Sequence, residues 1–313
     1  MKKILICGAT GFIGKNITLG LSKNKNYEIH AIRFKRPAYK TPGNVKWHKA
    51  DLRNPSLVDK LIKNMDIVVQ AAATTSGSKD IVSKPYIHVT DNAVINSFMF
   101  RSAYTHKVKH FIFPSCTVMY PSSKKATKES DFSGKIIDKY KGAGETKVYL
   151  EKIAKFYSML CDTKFTIIRH SNIYGPHDKY DLDKSHVFGA TITKVLTAEK
   201  NIEVWGTGNE IRDFLHADDL VNFIKLAIRN QRSQYEIYNC GSGSPLKVRE
   251  LVKKVVKISG KNIKIKYNQA KPSIPFNMYL NTKKASKELG WKPKINIDIG
   301  IKKTIEWWEE NIK

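Results

Sequence analysis

At 313 residues with a formal net charge of +27, the chain is long enough to bury a substantial core in one large domain or two intimate ones, and basic enough to favour anionic ligands. No segment approaches the roughly 18 uninterrupted apolar residues of a membrane span. The opening MKKILICGAT runs into a strand-like pattern without a small-residue cleavage site, so no membrane partner is expected and the protein reads as cytoplasmic. Of the 55 basic residues 46 are lysine and nine arginine, spread over the whole length without arginine clusters interleaved with aromatics, so no nucleic-acid partner is expected. The four cysteines, Cys7, Cys116, Cys161 and Cys240, are scattered and suit neither a disulfide framework nor a metal site.

In chain order, apolar β-branched runs alternate with helical patterns. KILICGA precedes a helix over about 11–23. YEIHAIRF precedes one near 55–64, and MDIVVQAAA one near 88–106. KHFIFPS then leads to a helix from about Gly144 to Leu160, and KFTIIRH closes the series. Strands that are continuous apolar runs imply burial on both faces of a parallel sheet, so a doubly wound, Rossmann-like α/β fold is expected. After Asn172 the texture changes to loops and shorter elements: a helix near 187–198, IEVWGTG, FLHADDLVNFIKLAIRN, YEIYNCGSG, a helix near 247–258, IKIKYNQ and a terminal helix ending TIEWWEENIK. Residues 1–171, with return segments near 213–240, read as a dinucleotide-binding domain. Residues 172–212 and 241–313 read as a smaller substrate-binding part over the carboxyl ends of the strands.

GATGFIG at 8–14 places Gly8, Gly11 and Gly14 between the first strand and the first helix, with Thr10, Phe12 and Ile13 among them. Such a turn lets main-chain N–H groups and a helix N-terminus approach a pyrophosphate. The strand YEIHAIRFKRP ends in Arg33, Lys35 and Arg36 without a carboxylate, which favours the 2′-phosphate of NADP(H), with NAD(H) as the alternative. Asp51 and Leu52 in ADL, and Ala71, Ala72 and Ala73 in QAAA, are placed to flank the adenine and the pyrophosphate.

RHSNIYGPHD (169–178), DKSHVFGATITK (183–194) and VWGTGNEIRDFLHADDL (204–220) resemble the extended short-chain dehydrogenase/reductases of the NAD-dependent epimerase/dehydratase family that act on nucleotide sugars. The likeness is greatest to their GDP-L-fucose synthase branch, NADPH-dependent 3,5-epimerases and 4-reductases of GDP-4-keto-6-deoxymannose. It runs through ELGWKP near residue 290 to the terminal helix. The resemblance implies a nucleotide-sugar epimerase or 4-keto reductase of surface-polysaccharide synthesis, often dimeric through a four-helix contact that would include the helix near Gly144. It gives His186 of SHV an acid/base role in epimerisation, a task that suits a histidine with a pKa near neutrality. Lys194 and Arg212 become candidates for neutralising the diphosphate, Asn172 and Lys271 for substrate binding, and Trp205 for the base or sugar pocket or, alternatively, the core. Asp213, Asp218 and Asp219 read as structural helix-start carboxylates.

The redox centre departs from the family pattern, which has a hydroxyl residue after the fourth strand and Tyr-x-x-x-Lys on the next helix. Aligned on Tyr120-Pro121, the hydroxyl position falls on Cys116, and a thiol is a poor donor to a ketone, so Thr117 is the preferred substitute and Cys116 a possible partner of His186. Lys147, followed by Glu151, marks the lysine, which would also hold the cofactor; four residues back stands Ala143 where the family has tyrosine. Tyr140, expected in the preceding loop, is the nearest phenol able to replace it. Three readings stay open: a reductase with its acid displaced to Tyr140 or Thr117, an epimerase using His186 and Cys116, or a binding protein without turnover.

Overall fold

The computed structural model describes residues 1–75, 84–271 and 273–313. Its first part runs β1 (Lys2–Cys7), α1 (Phe12–Leu21), β2 (Tyr27–Arg33), β3 (Val45–Lys49), α2 (Pro55–Ile62), β4 (Ile67–Gln70), α3 (Thr90–Thr105), β5 (His110–Pro114), α4 (Lys141–Ser158) and β6 (Lys164–His170). The second part runs β7 (Asn172–Tyr174), α5 (Val187–Thr197), β8 (Asn201–Trp205), β9 (Ile211–Arg212), β10 (Phe214–His216), α6 (Ala217–Asn230) and β11 (Tyr235–Cys240). It ends in β12 (Leu246–Lys247), α7 (Val248–Ser259), β13 (Lys264–Asn268), α8 (Lys283–Leu289) and α9 (Ile297–Asn311).

Seven strands form one sheet in the order β11-β6-β5-β4-β1-β2-β3, every pair parallel. This is the doubly wound α/β architecture expected from the runs ILIC, IVVQ and HFIFP, whose residues are buried on both faces. One face packs against α1, α6 and α8 through Ile17, Leu21, Leu220, Ile224 and Leu289. The other packs against α2, α3 and α4 through Val58, Met99, Phe100, Leu150 and Ala154. Phe100 meets Phe111, Phe113 and Phe165 at centroid distances of 5.0, 5.5 and 6.1 Å. Burying each such ring contributes about 2–3 kcal/mol, so this cluster is a main anchor of α3 on the sheet.

A third cluster joins α5, α7 and α9 to the β8–β13 ribbon around Tyr174, Phe188, Leu251 and Trp308. A small fourth one, Tyr120 with Ile274, Phe276, Met278 and Leu280 and flanked by Tyr140, lies between the sheet and the 273–280 segment. The two outer clusters therefore frame the end of the sheet where β5 and β6 finish.

Three sequence expectations are corrected. Helix α4 starts at Lys141 rather than near Gly144, because a 3-10 turn at Asp138–Tyr140 feeds directly into it; Tyr140 is its N-cap, not a loop residue, and Ala143 lies in its first turn. VKWHK, not anticipated as a strand, is β3, an edge strand whose lysines face water. Asp213 does not start a helix: it sits between β9 and β10, buried, and accepts from Ser242 N and Oγ, both at 2.7 Å, from Leu280 N at 3.0 Å and from Gly243 N at 3.2 Å. Asp218 and Asp219 do stand in the first turn of α6, and Asp219 also receives Lys294 N and Ile295 N, each at 2.9 Å.

Candidate active site

Between β1 and α1 the chain turns on Gly8, with φ of +70°, and closes with Gly11 N donating to Gly8 O at 2.9 Å. A Cβ on Gly14 would stand 2.1 Å from Gly8 O, so the start of α1 rests directly on the turn. Gly11 caps α1 without a side-chain hydrogen bond, and no acidic residue stands in the first turn, which leaves a positive helix end facing open space. Phe12 and Ile13 pack inward against the sheet. Around this turn Arg36 Nη1 donates to Thr10 O at 3.3 Å, and Arg33 lies half-buried at the end of β2. Ala71 and Ala72 lie against Gly8, and Gln70 braces that loop by accepting from Ala72 N at 3.3 Å; Ala73 is exposed. Leu52 is buried, whereas Asp51 is held by Arg53 at 2.6 Å, which lowers its pKa. The bare helix end and the glycine cradle fit a dinucleotide pyrophosphate.

At the carboxyl edge of β5, Lys147 Nζ donates to Pro114 O at 3.1 Å and lies 4.5 Å from the Phe113 ring centroid; burial lowers its pKa, while Cys116 and Glu151 act in the opposite direction. Ser115 is buried and donates to Glu151 Oε1 at 2.6 Å, so it faces away from the cleft. Cys116 is half-buried, its thiol pKa raised by burial against the pull of Lys147, and Thr117 beside it is buried. Tyr140 packs edge-on to Phe276 at 5.8 Å; burial raises its phenol pKa, the Arg212 guanidinium opposes this, and Cys116 adds to it. Ala143, one turn before Lys147 on α4, offers no proton.

His186 caps α5 and reaches water, yet surrounding protein, with Lys179 and His88, lowers its pKa to about 4. His170, which the sequence reading passed over, ends β6 with Nδ1 at 2.8 Å from Ser171 O. Its pKa is also lowered to about 4, by burial first and then by the charges of Lys147 and His186, with the Ser171 contact opposing. Lys147 thus interacts electrostatically with Cys116 and His170, His186 with His170, and Tyr140 with Cys116 and Arg212.

Arg212 is half-buried, donating to Ile274 O at 3.0 Å and to Phe276 O and Ile211 O, which ties it to the 273–280 segment. Asn172 Nδ2 donates to Asp213 O at 3.1 Å. Trp205 is 38% exposed, so it is not core; Lys194 lies 5.4 Å from its ring and donates to Glu203 O at 2.8 Å. Lys271 is exposed and acts electrostatically on Glu203 in the same ribbon. Among the described residues no group of three or more His, Cys, Asp or Glu side chains is placed to hold a metal, and no helix is long and apolar enough to cross a membrane.

Residues 4–241 match the NAD dependent epimerase/dehydratase family. The chain belongs to that family. It is 26% identical to GDP-L-colitose synthase of Yersinia pseudotuberculosis over 98% of its own length and 97% of the relative. It is 26% identical to GDP-L-fucose synthase of Escherichia coli over 80% of its length and 82% of that relative. Its fold is shared with UDP-glucose 4-epimerase of Thermotoga maritima, solved with UDP-glucose, at a TM-score of 0.88 and 24% identity, covering 99% and 100% of the two chains. UDP-glucuronic acid 4-epimerase of Bacillus cereus, solved with UDP-glucuronic acid and NAD, gives 0.86 at 22% identity over 98% and 99%. The protein is thus a member of a nucleotide-sugar epimerase/dehydratase family whose members use nicotinamide cofactors.

Proposed function

We propose that the protein is an NADP(H)-dependent epimerase and/or 4-keto reductase of a GDP-linked 4-keto-deoxy sugar or heptose, serving surface-polysaccharide synthesis in the cytoplasm. The observation that supports this reading is that Lys147 interacts electrostatically with Cys116 and, with His186, with His170, at the carboxyl ends of β5 and β6, in a chain whose glycine turn fits a pyrophosphate. The cofactor lies across Gly8–Gly14 with Arg33 and Arg36 receiving the 2′-phosphate. Lys147 holds the ribose, and the nicotinamide, when bound, exchanges a hydride with the sugar. Residues 172–212 and 241–313 form the substrate part, in which Asn172 meets the sugar, Arg212, Lys194 and Lys271 neutralise the diphosphate, and Trp205 lines the nucleotide end. The GDP assignment is supported by relatives named for GDP-L-colitose and GDP-L-fucose. A homodimer is supported by the apolar outer surfaces of α3 and α4, where Tyr104, Tyr149, Phe156 and Met159 are exposed.

Purified protein with NADPH and GDP-4-keto-6-deoxymannose or its heptose analogue is expected to consume NADPH at 340 nm. Ala143 favours a second reading, epimerisation alone, which would appear as solvent-deuterium uptake into the sugar without NADPH loss. A panel of GDP- and UDP-sugars that raises the melting temperature without either reaction would replace both with a binding role.

A further inference from the structure

Beside Lys147, position 143 carries a methyl group where the family motif has a phenol, so any hydride exchange in this cleft needs another group to take the accompanying proton. The sheet register points to one. Pro114 of β5 stands opposite Ile168 of β6, and Ser115 N continues that pairing by donating to Ile168 O at 2.8 Å. Cys116 follows one residue later, and His170 stands two residues beyond Ile168 at the end of β6. On the other side His170 is paired with Cys240 of β11. His170 and Ile168 share a face because side chains alternate along a strand, so the imidazole emerges where the apolar layer under the cleft ends.

The hydrogen bonding of the ring fixes what it can do. Ser171 O only accepts, so the Nδ1 atom facing it at 2.8 Å carries the hydrogen and Nε2 of the neutral ring is left as a bare acceptor. Nε2 is not among the buried atoms without a partner, and the residue is half-buried, so solvent reaches this atom. The charged groups around it come from every wall: Lys147 from α4 and His186 from the start of α5, with Cys240 on β11 as its register neighbour. Burial disfavours the charged ring, and the Lys147 cation works the same way, which keeps the ring neutral at physiological pH. Tyr140 is less suited, since it is part of the small apolar cluster with Phe276 and burial raises its pKa.

We propose that His170 is the proton-exchanging group of this cleft, taking through Nε2 the proton of the sugar hydroxyl whose carbon is oxidised and returning it when the ketone is reduced. In the forward sense the sugar O–H and C–H bonds break, the proton passes to Nε2, the hydride passes to the nicotinamide, and the carbonyl forms. The reverse restores each. This rests on the nucleotide-sugar redox reading above.

Two measurements test it. In the free protein, histidine-labelled NMR spectra, assigned by the signal lost in His170→Gln, are expected to show a neutral Nδ1–H ring down to about pH 5. A ring protonated on Nε2, or titrating near 6.5, overturns the proposal. In turnover with NADPH and the keto-sugar panel, His170→Gln is expected to lower kcat about 10²–10⁴-fold, the usual worth of a general acid or base. KM should stay within about threefold, and the fall in rate with rising pH, set in this direction by loss of the proton that Nε2 takes up from solvent and gives to the ketone, should vanish. Tyr140→Phe is expected to stay within about fivefold of wild type. An active His170→Gln, or a loss confined to Tyr140→Phe, refutes the assignment, while an inactive wild type refutes the redox reading beneath it. Should His170→Gln melt more than about 5 °C low, His170→Asn is read by the same criteria.

Discussion

Replacing Arg169 by methionine tests whether a buried ionic network holds the floor of the cleft in place. Arg169 and Glu151 have side chains only 4% and 5% exposed and meet with Nη2 2.6 Å from Oε2. Arg169 Nε donates to both carboxylate oxygens at 3.2 Å, and Nη1 donates to Tyr120 OH at 3.0 Å and Glu129 O at 3.1 Å. Arg169→Met strands the Glu151 charge, whose remaining partner is Ser115 Oγ at 2.6 Å, and leaves Glu129 O without this donor. A stranded buried charge costs about 3–5 kcal/mol and a lost hydrogen bond about 1 more, giving roughly 4–6 kcal/mol. With unfolding entropy scaling by residue number, 1 kcal/mol corresponds to about 1.5 °C at this length, so the melting temperature should fall by about 6–9 °C. The assay is thermal unfolding followed by circular dichroism, with Glu151→Leu/Arg169→Met measured alongside. The double variant should recover at least half of the loss, because apolar side chains replace a buried pair far more cheaply than they replace one member. A loss below about 1 kcal/mol for Arg169→Met, or a double variant as unstable as the sum of the singles, would refute the reasoning.

Burial raises the Asp178 carboxyl pKa to about 7, although Lys179 N donates to Oδ1 at 2.7 Å. The unfolded chain therefore ionises first, near 3.8, and stability falls as pH rises from about 4 to about 7, then levels. Asp178→Asn should raise the melting temperature by several degrees at pH 8 and little at pH 4.5; an equal shift at both pH values would contradict this. Gly14→Ala, whose methyl would meet Gly8 O, should abolish the protection against melting that NADPH gives the wild type; retained protection would show that the turn can open. Arg33→Ser/Arg36→Ser should weaken NADPH more than tenfold relative to NADH in fluorescence titration, and an unchanged ratio would remove the case for the 2′-phosphate.

The central sheet was legible because β1, β4, β5 and β6 each carry a short apolar run, ILIC, IVV, FIF and II, a signal that needs no partner to interpret. The start of α4 was not, since Gly142 and Gly144 are weak helix formers and the 3-10 turn before them is stabilised by packing with the 273–280 segment. Asp213 looked like a helix start because its partners, Ser242, Gly243 and Leu280, lie far along the chain. The motif positions Lys147, Cys116 and His186 were picked out through the family resemblance. The place of His170 depends on a register between two strands that only the folded sheet defines, and a lone histidine at a strand end reads as core. Arg212 was expected at a diphosphate, but its bonds to carbonyls of residues 274 and 276 were unreadable from local pattern.

The contact between Gly300 and Tyr174 bears on how the protein is made. A Cβ on Gly300 would fall 1.9 Å from the Tyr174 hydroxyl, so α9 seats itself on the tyrosine that ends β7, and Tyr174 in turn stacks at 4.0 Å on Phe188, two residues beyond His186. The sheet has its last strand once Cys240 has been synthesised, whereas the wall carrying His186 must wait some sixty residues more for its final brace. At about 5–20 residues per second that is an interval of about 3–12 s in which a nascent chain already has its dinucleotide turn but not a finished substrate wall. Cofactor capture during synthesis would then precede the docking of α9 on Tyr174.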